Sequence, residues 1–270
     1  MSSQHNVAFS VLDLASRKDV DQGPAPALQR SLALAQHVEN LGFTRFWVAE
    51  HHNMDAIVSS ATSVLIGYLA AGTQRIRVGS GGVMLPNHAP LVIAEQFGTL
   101  EALYPGRIDL GLGRAPGTDP ITARALRRDR SGSADDFPAE VAELQAFLGP
   151  RQAGQKVIAM PGVDSHVPIW LLGSSLFSAQ LAAEQGLPYA FASHFAPRMM
   201  MQAIEVYRRN FKSSAVLDKP YVMLGVPVVA AETDARAEFL ATTTYQRILA
   251  LIRGQNMLMR PPVEVMHDLW

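Results

Sequence analysis

Seven times along the chain, a short apolar run is followed by a stretch with helical periodicity, and this alternation limits the fold more than any other feature of the sequence. Repeated strand–helix–strand units demand parallel strands, and parallel strands need helices over their faces. The runs cover residues 7–13, 43–49, 76–86, 108–113, 167–172, 188–192 and 221–230. Helices are predicted at 28–41 with Gly42 as the stop, 59–71 with Gly72, 89–103, 137–148, 176–185 with Gly186, 197–211, and 234–252. Residues 114–138 read as a polar loop, long enough to be a lid or a binding loop.

A doubly wound open sheet and a closed barrel both satisfy that pattern. Polar residues and glycines recur where the strands end, at Glu50-His51-His52, Gly79–Gly82, Gly111–Arg114, Gly173–Ser175 and Ser193-His194. Barrels assemble their sites from many strand ends in this way. No GxGxxG fingerprint follows the first run, which weakens the open-sheet alternative. The reading is therefore a TIM (β/α)8-type barrel, a single domain over residues 1–270. Only seven strands are countable, and Pro261-Pro262 makes the remaining tail a poor central strand. The eighth β/α unit is expected to be missing, leaving unpaired edges at residues 7–12 and 221–229.

With 48% hydrophobic and 17% charged residues in 270, the chain can bury one large core. A net charge of -1 argues against a nucleic-acid partner, and the Arg124–Arg130 run reads as a solvated face. The absence of cysteine excludes disulfides and thiolate metal sites. A short polar N-terminus without the order of a secretory signal adds to a cytoplasmic expectation. No apolar run reaches the ~20 residues of a membrane span.

Four strand ends carry the candidate chemistry. The Gly79-Ser80-Gly81-Gly82 cluster marks a place where backbone comes close to something, either a neighbouring strand at a bulge or a ligand. Glu50-His51-His52 suits proton transfer by a histidine beside an orienting carboxylate. A metal there would need a third convergent ligand; His88 and His194 are conceivable, but the spacing follows no metal motif and no metal is expected. Arg114, with Ser174, Ser175 and Ser178 at a helix start, reads as a phosphate cradle. The alternative is an ordinary N-cap beside a surface arginine.

The segments Phe46-Trp-Val-Ala-Glu-His-His52, Ile76-Arg-Val-Gly-Ser-Gly-Gly-Val-Met-Leu-Pro86, Gly106-Arg-Ile-Asp-Leu-Gly-Leu-Gly-Arg114 and Gly173-Ser-Ser-Leu-Phe-Ser-Ala-Gln-Leu-Ala-Ala183 together resemble the bacterial luciferase-like flavin monooxygenases, over essentially the whole chain. The resemblance implies a (β/α)8 barrel that binds FMN or reduced FMN and uses O2, with flavin supplied by a separate reductase, and a homodimer. It makes His51 the catalytic histidine, Arg114 the holder of the flavin phosphate, and Ser175 and Ser178 its hydroxyl partners. Ser174 stands where luciferase has a glutamate. Gly81 and Gly82 match the pair against which the flavin ring packs, where the family has a non-proline cis peptide. Gly113 stands where luciferase has a reactive cysteine, so chemistry that depends on that thiol is absent.

These readings lead to an expected flavin-dependent monooxygenase. Reduced FMN and O2 would oxidise a small apolar substrate such as an aldehyde, in a space lined or covered by Met84, Phe195 and the 114–138 loop. A flavin-binding protein without turnover and a deazaflavin-dependent oxidoreductase on the same barrel are the rivals.

Overall fold

A computed structural model describes residues 7–115, 118–126, 136–194 and 196–266. Its seven strands are β1 (Ser10–Asp13), β2 (Arg45–Val48), β3 (Arg77–Met84), β4 (Ile108–Gly113), β5 (Ile169–Gly173), β6 (Tyr189–Phe191) and β7 (Val222–Leu224). All neighbours pair in parallel, in the order β1-β2-β3-β4-β5-β6-β7. A doubly wound sheet reverses its order at a switch point; strictly sequential pairing is the winding of a barrel wall.

The connecting helices are α1 (Ala25–Asn40), α2 (Thr62–Ala71), α3 (Pro90–Leu103), α4 (Pro120–Leu126), α5 (Phe137–Leu148), α6 (Leu176–Gln185) and α7 (Met200–Asn210), and α8 (Asp234–Ile252) follows β7. Their ends fall where the stop signals predict. Gly42, just past α1, and Gly186, at the end of α6, take φ of 79° and 62°, a conformation that L side chains resist.

Side chains alternate along every strand. Phe46 and Val48, Val78, Ile108, Leu110 and Leu112, Ile169 and Leu171, Tyr189 and Phe191 join the large core beneath the helices. Each such side chain contributes on the order of 1.5–3 kcal/mol by burial. The intervening positions, Trp47, Trp170, Leu172, Ala190 and Met223, form a second apolar group on the opposite face of the sheet. This period of two, with both faces covered, is why the strands read as continuous apolar runs.

Charge closes the N-terminal end of that inner face. Asp109, 1% exposed, accepts from Arg45 Nε at 3.0 Å, from Trp47 Nε1 at 3.2 Å and from Arg77 Nε and Nη2 at 2.9 and 2.6 Å. The Arg45 guanidinium lies 5.0 Å from the Trp170 ring centroid, and Trp47 meets Trp170 edge-on at 5.2 Å. Arg77 also donates to the carbonyls of Gly106 and Ile108.

Three expectations need correcting. The predicted run at 221–230 pairs only over Val222–Leu224. Pro227 cannot donate to a ladder, and Val226 and Val228 stand exposed past it. The predicted 114–138 loop contains α4, which begins at an N1 proline behind Asp119. That carboxylate accepts from the Ile121 and Thr122 N–H groups at 2.9 and 3.0 Å and from the Thr122 hydroxyl at 2.6 Å. The helix predicted at 197–211 begins as a 3-10 turn, Pro197–Met199.

Past α8, the described chain doubles back. Arg260 and Pro261 carbonyls accept from Thr243 Oγ1 and Gln246 Nε2, Val263 N–H donates to Thr242 Oγ1, and Met259 bridges to Lys18. Among the described residues the ladder holds no eighth strand, and residues 267–270 lie outside them, as do 116–117, 127–135 and Phe195.

Candidate active site

Because every strand runs the same way, all C-terminal ends meet at one rim. Glu50, His51 and His52 follow β2 there, Met84 ends β3, Arg114 follows β4, Ser174 and Ser175 follow β5, and His194 follows β6.

Glu50 is 1% exposed. Its Oε1 lies 2.9 Å from His52 Nε2 and 2.9 Å from His88 Nε2, and its Oε2 accepts the Met84 N–H at 3.3 Å. Burial by itself would raise the carboxyl's pKa. The hydrogen bonds and charges of His88 and His52 outweigh it and hold Glu50 below the usual carboxylate value. His51, next in sequence, is half-buried. His194, the other conceivable metal ligand, does not join this group; burial lowers its pKa against the opposing effect of a hydrogen bond with the Gly225 backbone.

The glycine cluster serves the sheet directly. The β3–β4 register shifts between Ser80 and Val83, and Ser80 Oγ bridges the gap by donating to the Gly111 carbonyl at 2.9 Å and accepting the Gly111 N–H at 3.0 Å. A Cβ on Gly82 would come within 2.7 Å of the Gly111 carbonyl oxygen, so the strands close only around glycine. Gly81 faces Leu12 and Trp47 on the inner side. The Gly81–Gly82 peptide is cis. At Gly113 the neighbouring space is filled, since a Cβ would sit 2.8 Å from the Met84 sulfur.

On the far side of the rim, Ser175 occupies the N-cap of α6 with extended backbone, and its side chain makes no capping bond. Ser174 is exposed, whereas Ser178 is buried under Gly173 and donates to the Ser175 carbonyl at 3.4 Å. The Arg114 guanidinium lies 4.1 Å from the centroid of Phe177, in the first turn of α6. A cation, an uncommitted hydroxyl and the free N–H groups of a helix start are thus gathered in one place, which is the donor set of an anion site.

Two further residues roof the β2 exit. Asn53 Nδ2 donates to Asp119 Oδ2 at 3.2 Å, and Thr118 Oγ1 to the His52 carbonyl at 3.4 Å.

The profile of luciferase-like monooxygenases matches residues 7–262. The chain belongs to the luciferase-like monooxygenase family. It is 55% identical over 266 residues to a luciferase-like monooxygenase of Escherichia coli K12, covering 98% of this chain and 78% of that relative. The solved structure of apo-MsnO8 superposes with a TM-score of 0.90 at 40% identity, over 95% of this chain and 76% of that one. The oxygenating constituent of 3,6-diketocamphane monooxygenase, solved with FMN, superposes at 0.71 over 91% and 75% of the two chains; at 17% identity this likeness shows the fold alone.

As a luciferase-like monooxygenase, the protein is an oxidoreductase. No described helix is long and apolar enough to cross a membrane. From the sequence, His88 is only one of two conceivable partners for the Glu50-His51-His52 segment, with His194 the other, and the Asn53–Asp119 contact has no place in that reading. The available signal for the second was Asp119-Pro120, an N-cap and N1 pair inside a supposed loop. For the first there was only the shared position of His52 and His88 just past neighbouring strands.

Proposed function

We propose that this family member uses reduced FMN and O2 to oxidise a small apolar organic molecule, with aldehydes the first class to test. The observation that carries the flavin assignment is Arg114 stacked on Phe177 beside the uncapped Ser175 hydroxyl at the start of α6. Arg114, Ser175 and the first N–H groups of α6 fit a phosphate monoester, because guanidinium and helix dipole favour a dianion together. Ser178 lines the base of this cradle and Ser174 its exposed edge. When bound, the flavin supplies the oxygen chemistry; the chain's residues bind, orient and exclude water.

Gly81 and Gly82 offer side-chain-free backbone against which a flat ring packs. Trp47, Trp170, Leu172 and Met223 make the inner wall apolar. His51 moves protons at the rim, and Glu50 fixes the segment that carries it. Met84 narrows the space next to Gly113. A separate flavin reductase and a second copy of the chain are the partners we infer, and the location is cytoplasmic.

The test is oxygen uptake with chemically reduced FMN and a panel of aldehydes, alongside absorption spectra of protein with FMN. Substrate-dependent uptake with product supports the reading. A bound flavin spectrum with no substrate-dependent uptake would mean binding without turnover on these substrates, and preference for a deazaflavin over FMN would move the cofactor assignment.

A further inference from the structure

The proposed flavin chemistry leaves His52 and His88 without a task, yet with Glu50 they place three metal-ligating atoms within 4.8 Å of one another. Two imidazoles and one carboxylate form a donor set for first-row divalent ions. Each Nε2 lies 2.9 Å from the same Glu50 Oε1. Bonds of about 2.0–2.1 Å separate two ligands by roughly 2.9 Å when the angle at the ion is near 90°, and by roughly 3.3 Å or more when it is tetrahedral. Both Nε2–Oε1 spacings, which are also those of N–H···O hydrogen bonds, are thus compatible with neighbouring octahedral positions.

We propose that Glu50, His52 and His88 bind a divalent transition-metal ion, with the remaining coordination positions left to water. The ligands are set by the fold: Glu50 and His52 leave β2, and His88 follows the 3-10 turn (Leu85–Asn87) after β3. The second carboxylate oxygen is oriented by the Met84 N–H, as ligating carboxylates commonly are. Among the described residues no arginine or lysine forms an ion pair with Glu50; its ion-pair partners are the two histidines that would themselves be ligands. Without an ion, both Nε2 atoms donate N–H to Glu50. With one, each Nε2 gives its lone pair to the metal and keeps its proton on Nδ1. The hydrogen-bonded triad and the metal site are two states of the same three side chains.

This inference does not rest on flavin binding, and its test reads the ion rather than turnover. The whole chain, stripped with chelator, is titrated with Co2+ by calorimetry and visible absorption. One Co2+ per chain is expected, with the weak visible bands of a five- or six-coordinate ion. His52→Ala and His88→Ala should each weaken binding by at least about 100-fold, the upper end of what losing an outer-shell partner costs. His166→Ala, whose imidazole pairs with Asp164 at the surface, should change nothing.

If the alanine variants fail to fold, the histidine nitrogen resonances of the 15N-labelled native chain decide. Zn2+ should shift the His52 and His88 Nε2 signals at one equivalent. Failure to bind Co2+ up to about 1 mM, where affinity is worth only ~4 kcal/mol, would overturn the site. So would Co2+ binding that survives both His variants, or Nε2 signals that keep their protons with Zn2+ present; the triad would then be a hydrogen-bonded cluster only.

Discussion

The two ends of the same parallel sheet are built to opposite rules. At the N-terminal end, the Asp109 carboxylate accepts four hydrogen bonds from Arg45, Trp47 and Arg77, and Trp170 packs against the Arg45 guanidinium. At the C-terminal rim, Ser175 caps nothing with its side chain, Arg114 leans on a half-exposed ring, and Glu50 is shared by two imidazoles. The difference teaches where stability is spent and where it is withheld. The saturated Asp109 cluster thus sits at the closed end, while Arg114 and the Ser175 hydroxyl at the open end stay available for a ligand.

The sharpest way to break this comparison is to exchange the roles. On the rim, His51→Ala should lower turnover by about 10²–10⁴ while FMN affinity and stability stay near native, as expected for lost proton transfer. Steady-state rates beside an FMN titration check it, and full activity would return His51 to a structural part. At the other end, Asp109→Ala should destabilise by about 3–5 kcal/mol, because two guanidinium groups lose their buried counter-ion. Denaturant unfolding measures it, and the folded fraction should bind FMN as the native protein does. A loss below about 1 kcal/mol, the scale of an exposed ion pair, would show that the cluster is not structural.

A smaller effect is expected at the roof. Asp119→Ala removes the α4 cap and the Asn53 contact together, and should cost about 0.5–2 kcal/mol of local stability, read as faster amide exchange in α4. Unchanged exchange would mean that the helix is held by other contacts.

The smallest effect concerns pH. Burial holds folded His194 below its ordinary value of 6.5, so as pH falls through 6.5 the unfolded chain takes up a proton that the folded chain does not. Stability present above pH 6.5 should therefore be lost below it. His194→Gln should flatten that limb of the unfolding midpoint plotted against pH, and an unaltered slope would assign it to another group.

Legibility from sequence followed the range of the forces involved. Elements fixed by local signals were readable nearly to the residue: α6 lies between a serine N-cap and Gly186, α8 begins after Thr233, whose hydroxyl accepts the Arg236 N–H, and β4 places Ile108, Leu110 and Leu112 at alternate positions between the Gly106 turn and Arg114. The strand at 221–230 was overextended because apolar residues at a sheet edge look like those in its middle. The Asp109 cluster joins residues 32 and 64 positions apart, and His88 lies 38 positions from Glu50. Such contacts exist only once strand register is known. The rim residues were legible as chemistry because they punctuate strand ends, but which of them touch was not.

The central claim is that the start of α6 with Arg114 holds a flavin phosphate, and the most direct test compares FMN with riboflavin, which lacks that group. Titrations of both should show FMN bound more tightly by the native chain. Arg114→Ala should weaken FMN by about 1.5–3 kcal/mol, the usual scale for a charge-assisted bond, leave riboflavin nearly unchanged, and so narrow the gap between them. Equal affinity of the native chain for the two flavins, or an Arg114→Ala variant that keeps the full preference for FMN, would contradict the account.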